Sequence, residues 1–216
     1  MILDHTDPWY QKRLRRLGSE KYNGAYFYSK EIVETMIPLV DTNRDWVTVD
    51  LQRRVPDHSI VFIHNNRQPY RYRYLQNSSD LVLVCGIPET SRRMQKYGKA
   101  IYLPLSVDVE YVEKFSTGKT KDTAFAGRLS KVENLPEGTD ILGGLPREEL
   151  LKKMAEYRNI YAVGRTAIEA KVLGCNILPY DRRFPEPSIW KVLDTKDAAK
   201  ILQEKLRKIE QGEFVV

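Results

Sequence analysis

Residues 161–181 read YAVGRTAIEAKVLGCNILPYD. An apolar strand, Asn159–Val163, runs into Gly164. A helix starts at Arg165 or Thr166, carries Ala167, Ile168, Ala170 and Val172 at helical spacing, and stops at Gly174 before a second apolar run, Cys175–Pro179. Strand, glycine turn, helix and strand form the unit from which parallel sheets are built. Gly164 allows a tight turn and close backbone approach to a ligand. The helix N-terminus behind it presents N–H groups and the positive end of a dipole, which suit a phosphate. Arg165 adds a planar charged fork, Thr166 a hydroxyl, and Glu169 a carboxylate that can accept from two neighbouring hydroxyls. Thr166 and Glu169 also have the spacing of a capping box, which would do no more than close the helix end. Both readings are open at this level.

Working outward, the same alternation continues. Trp46–Leu51, Ser59–His64, Leu81–Cys85, Ala100–Leu103, Thr123–Ala126 and Asp140–Leu142 are short, β-branched and apolar without strict alternation, the pattern of strands buried on both faces. Helices fit between them. Tyr28–Val40 has an apolar stripe at Ile32, Val33, Met36, Ile37 and Val40, with Ser29 as its expected N-cap. Glu89–Tyr97, Pro146–Tyr157 and an amphipathic Asp197–Gln211 follow. The predicted fold is α/β, with two small Rossmann-like lobes and parallel sheets. Turn residues at Ser116–Thr120 place the expected boundary after residue 118, giving lobes 1–118 and 119–216. In such sheets the ligand lies beyond the carboxyl ends of the strands.

The chain has 216 residues, 42% of them hydrophobic, which excludes a long disordered chain. No apolar run reaches the ~18 residues of a membrane span. The first residues lack the apolar core of a secretory signal, so a cytoplasmic setting is expected. Two cysteines, Cys85 and Cys175, follow or begin apolar runs and read as buried free thiols. Lys+Arg exceeds Asp+Glu by 35 − 29 = +6, which permits an anionic ligand without demanding nucleic acid. No His or carboxylate cluster has ligand spacing, so no metal is implied.

His64 ends the run SIVFIH, and Asp50 ends WVTVD. Both stand where a base near an acceptor hydroxyl would stand, and His64 also reads as a loop residue closing a strand. His58 reads as a turn residue, and His5 lies near the terminus. Tyr70–Tyr74, YRYRY, could stack on single-stranded nucleic acid, line a sugar site, or form a solvated surface. Lys12–Arg16, KRLRR, reads as an exposed helix face or an anionic-surface contact.

The run VGRTAIEAKVLGCNILPYD resembles the donor-binding helix of GT-B-fold glycosyltransferases, whose Glu-Ala dipeptide corresponds to Glu169-Ala170. FAGRL, Phe125–Leu129, is similar to the first strand of that family's C-terminal lobe, and Asp80–Val107 to the end of its N-terminal lobe. Leu142–Ala155 resembles the helix before the donor site. The resemblance spans residues 45–212. It implies a nucleotide-sugar co-substrate, UDP-linked by family habit, and no further cofactor. It also implies a diphosphate held by Arg128, Lys131, Gly164, Arg165 and Thr166, and a ribose held by Glu169. His64 or Asp50 would serve an unidentified acceptor, whether protein, glycan or nucleic acid. The second Glu of some retaining families is replaced by Tyr161, and the N-terminal lobe is short. Both departures leave open a non-catalytic nucleotide or glycan binding module, beside a third reading as a nucleic-acid-associated protein. The whole chain also resembles short glycosyltransferase-like proteins carried by bacteriophages, which would place it in a host cytoplasm.

Overall fold

The computed structural model describes residues 1–17, 24–64, 69–127, 132, 134–180 and 184–213. It is α/β, with two parallel sheets in two compact units. One unit comprises Met1–Pro104 with Thr195–Val216, and the other Leu105–Asp194. The expected division after residue 118 therefore differs from the compact units, which part at Leu105 and return the closing helix to the first unit. The cause is packing. The apolar stripe of that helix is buried against residues 32–39, a contact between distant stretches that no local turn signal reveals.

The first unit has five parallel strands in the order β1 (Ile2–Leu3), β2 (Asp45–Val47), β3 (Ser59–Ile63), β4 (Val82–Cys85) and β5 (Lys99–Tyr102). β3 and β4 are buried along their whole lengths, as their unbroken apolar runs require in a sheet covered on both faces. α1 (Pro8–Leu17) seats Tyr10 and Leu14 in a core with Val47, Val61, Leu83 and Met94. α2 (Gly24–Glu31) passes without a break into a wider π turn, Ile32–Met36, and a 3-10 turn, Ile37–Leu39. Tyr28 of α2 packs edge-on to Phe62, 6.0 Å between ring centres, and Phe62 stacks on Trp46. Ser29 is not a cap. It lies inside α2, fully buried, because its hydroxyl is used across the fold rather than along the helix. YRYRY falls in a 3-10 helix, Pro69–Asn77, and α3 (Pro88–Met94) precedes β5.

In the second unit α4 (Val109–Glu113) is followed by β6 (Lys121–Phe125), β7 (Asp140–Ile141), α5 (Arg147–Ala155), β8 (Tyr157–Tyr161), α6 (Arg165–Val172) and β9 (Asn176–Leu178). The sheet order is β7-β6-β8-β9, all parallel. The chain thus steps from β6 to β7 on one side, then returns past β6 to lay β8 on the other. That reversal makes the carboxyl ends of β6 and β8 the switch point of the sheet, the place where parallel α/β sheets take ligands. The first unit, whose strands lie in chain order, has no such reversal. α7 (Thr195–Glu210) completes the first unit by packing on residues 32–39.

Candidate functional site

The switch point of the second unit lies between Ala126-Gly127 after β6 and Ala162–Gly164 after β8. Gly164 has φ +64° and ψ −140°, a conformation open in practice to glycine alone, and it is the N-cap of α6. The capping-box reading is therefore not realised: α6 starts at Arg165, its cap has no side chain, and Thr166 lies within the first turn. Backbone approach is close on the same edge. A Cβ at Gly143 would stand 2.5 Å from the Gly127 carbonyl, and one at Gly127 would stand 2.5 Å from the Tyr180 hydroxyl.

Two helices begin on this edge, and each begins with arginine: α5 with Arg147 and α6 with Arg165. Neither N-terminus has a side-chain cap, and α6 has no acidic residue in its first turn. A cation at a helix N-terminus opposes the dipole, so the arrangement departs from what stability alone favours. Both guanidinium groups meet on Glu169 Oε1, Arg147 Nη2 donating at 2.9 Å and Arg165 Nη2 at 3.4 Å. All three side chains are close to buried, at 13%, 9% and 8% exposure for Arg147, Arg165 and Glu169. The Arg147 guanidinium also lies over the Tyr111 ring, 5.2 Å from its centre. Burial, together with Glu148 accepting from the Tyr111 hydroxyl, raises the Tyr111 phenol above its ordinary range.

Of the donor residues expected from sequence, Gly164, Arg165, Thr166 and Glu169 thus come together. Glu169 is engaged by two arginines rather than held open for a ribose. Arg128 and Lys131 lie outside the described residues. Arg147 was missed, because its role depends on two helices starting side by side, which the order β7-β6-β8 produces.

The carboxyl edge of the first unit carries the other pair. β2 and β3 run in a register that pairs Val47 with Val61, and the chain continues past their carboxyl ends to Asp50 and His64. His64 donates from Nε2 to the Thr48 carbonyl at 2.6 Å and packs edge-on to Tyr28. Asp50 accepts from the Tyr74 hydroxyl at 3.3 Å, its carboxylate lies 3.7 Å from Arg13, and its carbonyl accepts from Arg13 Nη1 at 2.9 Å. Burial and then Asp50 push the Tyr74 phenol far upward, so it remains a donor. His5 also reaches this edge and is buried. Its backbone N–H donates to Ser29 Oγ at 3.0 Å, and Ser29 bonds Thr48 Oγ1 at 2.6 Å. Sequence position alone gave His5 no weight, since only the pairing of β1 with β2 brings it beside Thr48.

Within YRYRY, Tyr70 is 57% exposed, Tyr72 is fully buried, Tyr74 is committed to Asp50, and Arg71 and Arg73 are exposed. His58, at φ +59°, is a turn residue bonded to Asp80 at 2.5 Å and Asn43 at 3.0 Å, at the amino ends of the strands. Cys85 and Cys175 are buried free thiols, and burial pushes Cys85 up to about 12. Among the described residues no three His, Cys, Asp or Glu side chains gather as a ligand set, and no helix is long and apolar enough to cross a membrane. No family model, no curated protein and no solved structure matches the chain.

Proposed function

We propose that the chain is a glycosyltransferase that takes a sugar from a nucleotide diphosphate, UDP by preference, bound at the Gly164 turn of the second unit. One observation carries this reading: α6 opens on an arginine at the carboxyl end of β8, beside the sheet's reversal, with glycine as its cap and no acid in its first turn. An anion at that turn would meet N–H groups, the helix dipole and the Arg165 fork together. In the transfer, an acceptor oxygen forms a bond to the anomeric carbon as the bond to the diphosphate breaks. The diphosphate leaves with the electron pair, and fixed positive groups at the turn stabilise that charge. Thr166 adds a hydroxyl donor. Glu169 keeps both guanidinium groups in place, and the acceptor proton passes to a general base.

Calorimetric titration with UDP, GDP, ADP and their sugars tests this. The expected result is binding of one nucleotide, weakened at least tenfold in Arg165→Ala, where loss of a charge-assisted contact is worth about 1.5–3 kcal/mol. Absence of binding by all of them at millimolar concentration overturns it. A binding module without turnover is the second reading, favoured by the engagement of both candidate bases within the fold, His64 with Thr48 and Asp50 with Arg13 and Tyr74. Donor turnover with any acceptor eliminates that second reading.

A further inference from the structure

α1 contains four cations and no acid in PWYQKRLRRL. At 100° per residue, Tyr10 and Leu14 fall on one side and are buried, 3% and 2% exposed. The opposite side presents Trp9, Lys12, Arg15 and Arg16, all exposed. A second basic element adjoins it. In the 3-10 helix Pro69–Asn77 the period is three, so Arg71 shares a face with Tyr74. Tyr74 donates to the side chain of Asp50, and Arg13 of α1 donates to the backbone of the same residue, so Asp50 joins the two helices. Tyr10, Leu14, Tyr72 and Leu75 meet in one core beneath. Lys12, Arg15, Arg16, Arg71 and Arg73 are all exposed, and none makes an ion pair among the described residues. Five exposed cations without an ion pair among the described residues thus stand on two adjoining helices.

We infer that this face docks the sugar-phosphate backbone of a nucleic acid. The charge is complementary, and long cationic side chains standing in water are what phosphate contacts use. A bilayer fits less well, because the apolar side of α1 is spent on the core, and among the described residues of the two helices only Tyr70, 57% exposed, and Trp9, 38% exposed and covered by the Arg13 guanidinium at 5.8 Å, could enter one. Tyr72 and Tyr74 of YRYRY turn inward and leave Tyr70, 57% exposed, as the outward ring of the tract, so the contact is chiefly to phosphates and depends little on base sequence.

Fluorescence anisotropy with a labelled single-stranded oligonucleotide tests the inference. Five phosphate contacts predict affinity about a hundredfold weaker at about 200 mM salt than at about 50 mM. The triple variant Lys12→Ala, Arg15→Ala, Arg16→Ala should lower the slope of log affinity against log salt by about two. The charge-matched control Arg92→Ala, Lys114→Ala, Arg158→Ala, also at exposed positions, should leave that slope unchanged. Circular dichroism establishes that each variant is folded. No binding at low salt, equal losses in the two triple variants, or binding only to phosphatidylserine vesicles or polyglutamate would overturn the inference. Nucleotide titration of the same triple variant is expected to be unaltered, which separates this face from the Gly164 turn.

Discussion

Gly164 carries more of the candidate site than any charged residue, because its backbone sets where α6 begins. Its φ and ψ cost an L-residue about 1–3 kcal/mol. Space is not the obstacle, since a Cβ there would meet only Leu105 Cδ1 at 3.9 Å. Gly164→Ala is therefore expected to lower the melting temperature of the second unit by about 4–8 °C per kcal/mol. Gly118→Ala, where a Cβ meets nothing within 4 Å and φ is not left-handed, should stay within about 0.5 kcal/mol of wild type. Thermal unfolding followed by circular dichroism distinguishes them, and equal melting points would sink the claim of strain. The turn was legible in sequence because a glycine between an apolar strand and a helix has few other uses. The partners of Glu169 were not. T-x-x-E reads as a box closed on its own helix, and only the structure shows Arg147 arriving from α5. Removing Glu169 would leave two close-to-buried guanidinium groups without their shared carboxylate, so loss of nucleotide binding in Glu169→Ala would not by itself show a ribose contact.

At the scale of elements, the amino ends of β2, β3, β4 and β5 are tied by one carboxylate. Asp80 meets Arg44 at 3.2 Å, His58 at 2.5 Å and Lys99 at 3.4 Å, and Arg44 also donates to its carbonyl at 2.9 Å. Partial burial pushes the Asp80 carboxyl up, but the hydrogen bonds and charges of His58, Arg44 and Lys99 outweigh it and bring the group down from 3.8 to about 2. A carboxyl lowered in the folded state contributes stability that is fully present above pH 3.8 and is lost as pH falls towards 2. Asp80→Asn should thus unfold more easily at neutral pH and show a flatter loss of stability between about pH 4 and about pH 2 than wild type. Urea titrations at stepped pH check this, and identical acid limbs would refute it. With Asp80 at 39% side-chain exposure, solvent screens much of the effect and the neutral-pH difference is expected to be small. The strands themselves were legible as apolar runs. This tie was not, because Arg44, His58, Asp80 and Lys99 stand at the amino ends of four strands far apart in sequence.

At the scale of the whole molecule, the two units differ in how the chain makes them. Leu105–Asp194 is continuous, and a parallel bridge between Val107 and Asp194 brings its two ends together. The other unit is discontinuous, and α7 buries Ala198, Ala199, Leu202, Leu206 and Ile209 in packing that includes residues 32–39. Helix-period spacing made α7 itself legible, but nothing local says which sheet it will join, and the order β7-β6-β8-β9 is equally invisible to a strand-by-strand reading. Continuity has a consequence for folding. A fragment of residues 105–194 has its own sheet, its own helices on that sheet and both ends paired, so it is expected to unfold cooperatively when expressed alone. It should also bind the same nucleotide as the full chain, because Gly164, Arg165, Arg147 and Glu169 all lie within it. Residues 1–104 alone would leave the apolar residues of 32–39 uncovered on the side α7 occupies, and should show no cooperative transition until residues 195–216 are supplied on the same chain by a short linker. Melting curves of the three polypeptides decide it. A cooperative transition for residues 1–104 by themselves, or an unfolded 105–194, would show that the units do not fold along the lines of their packing.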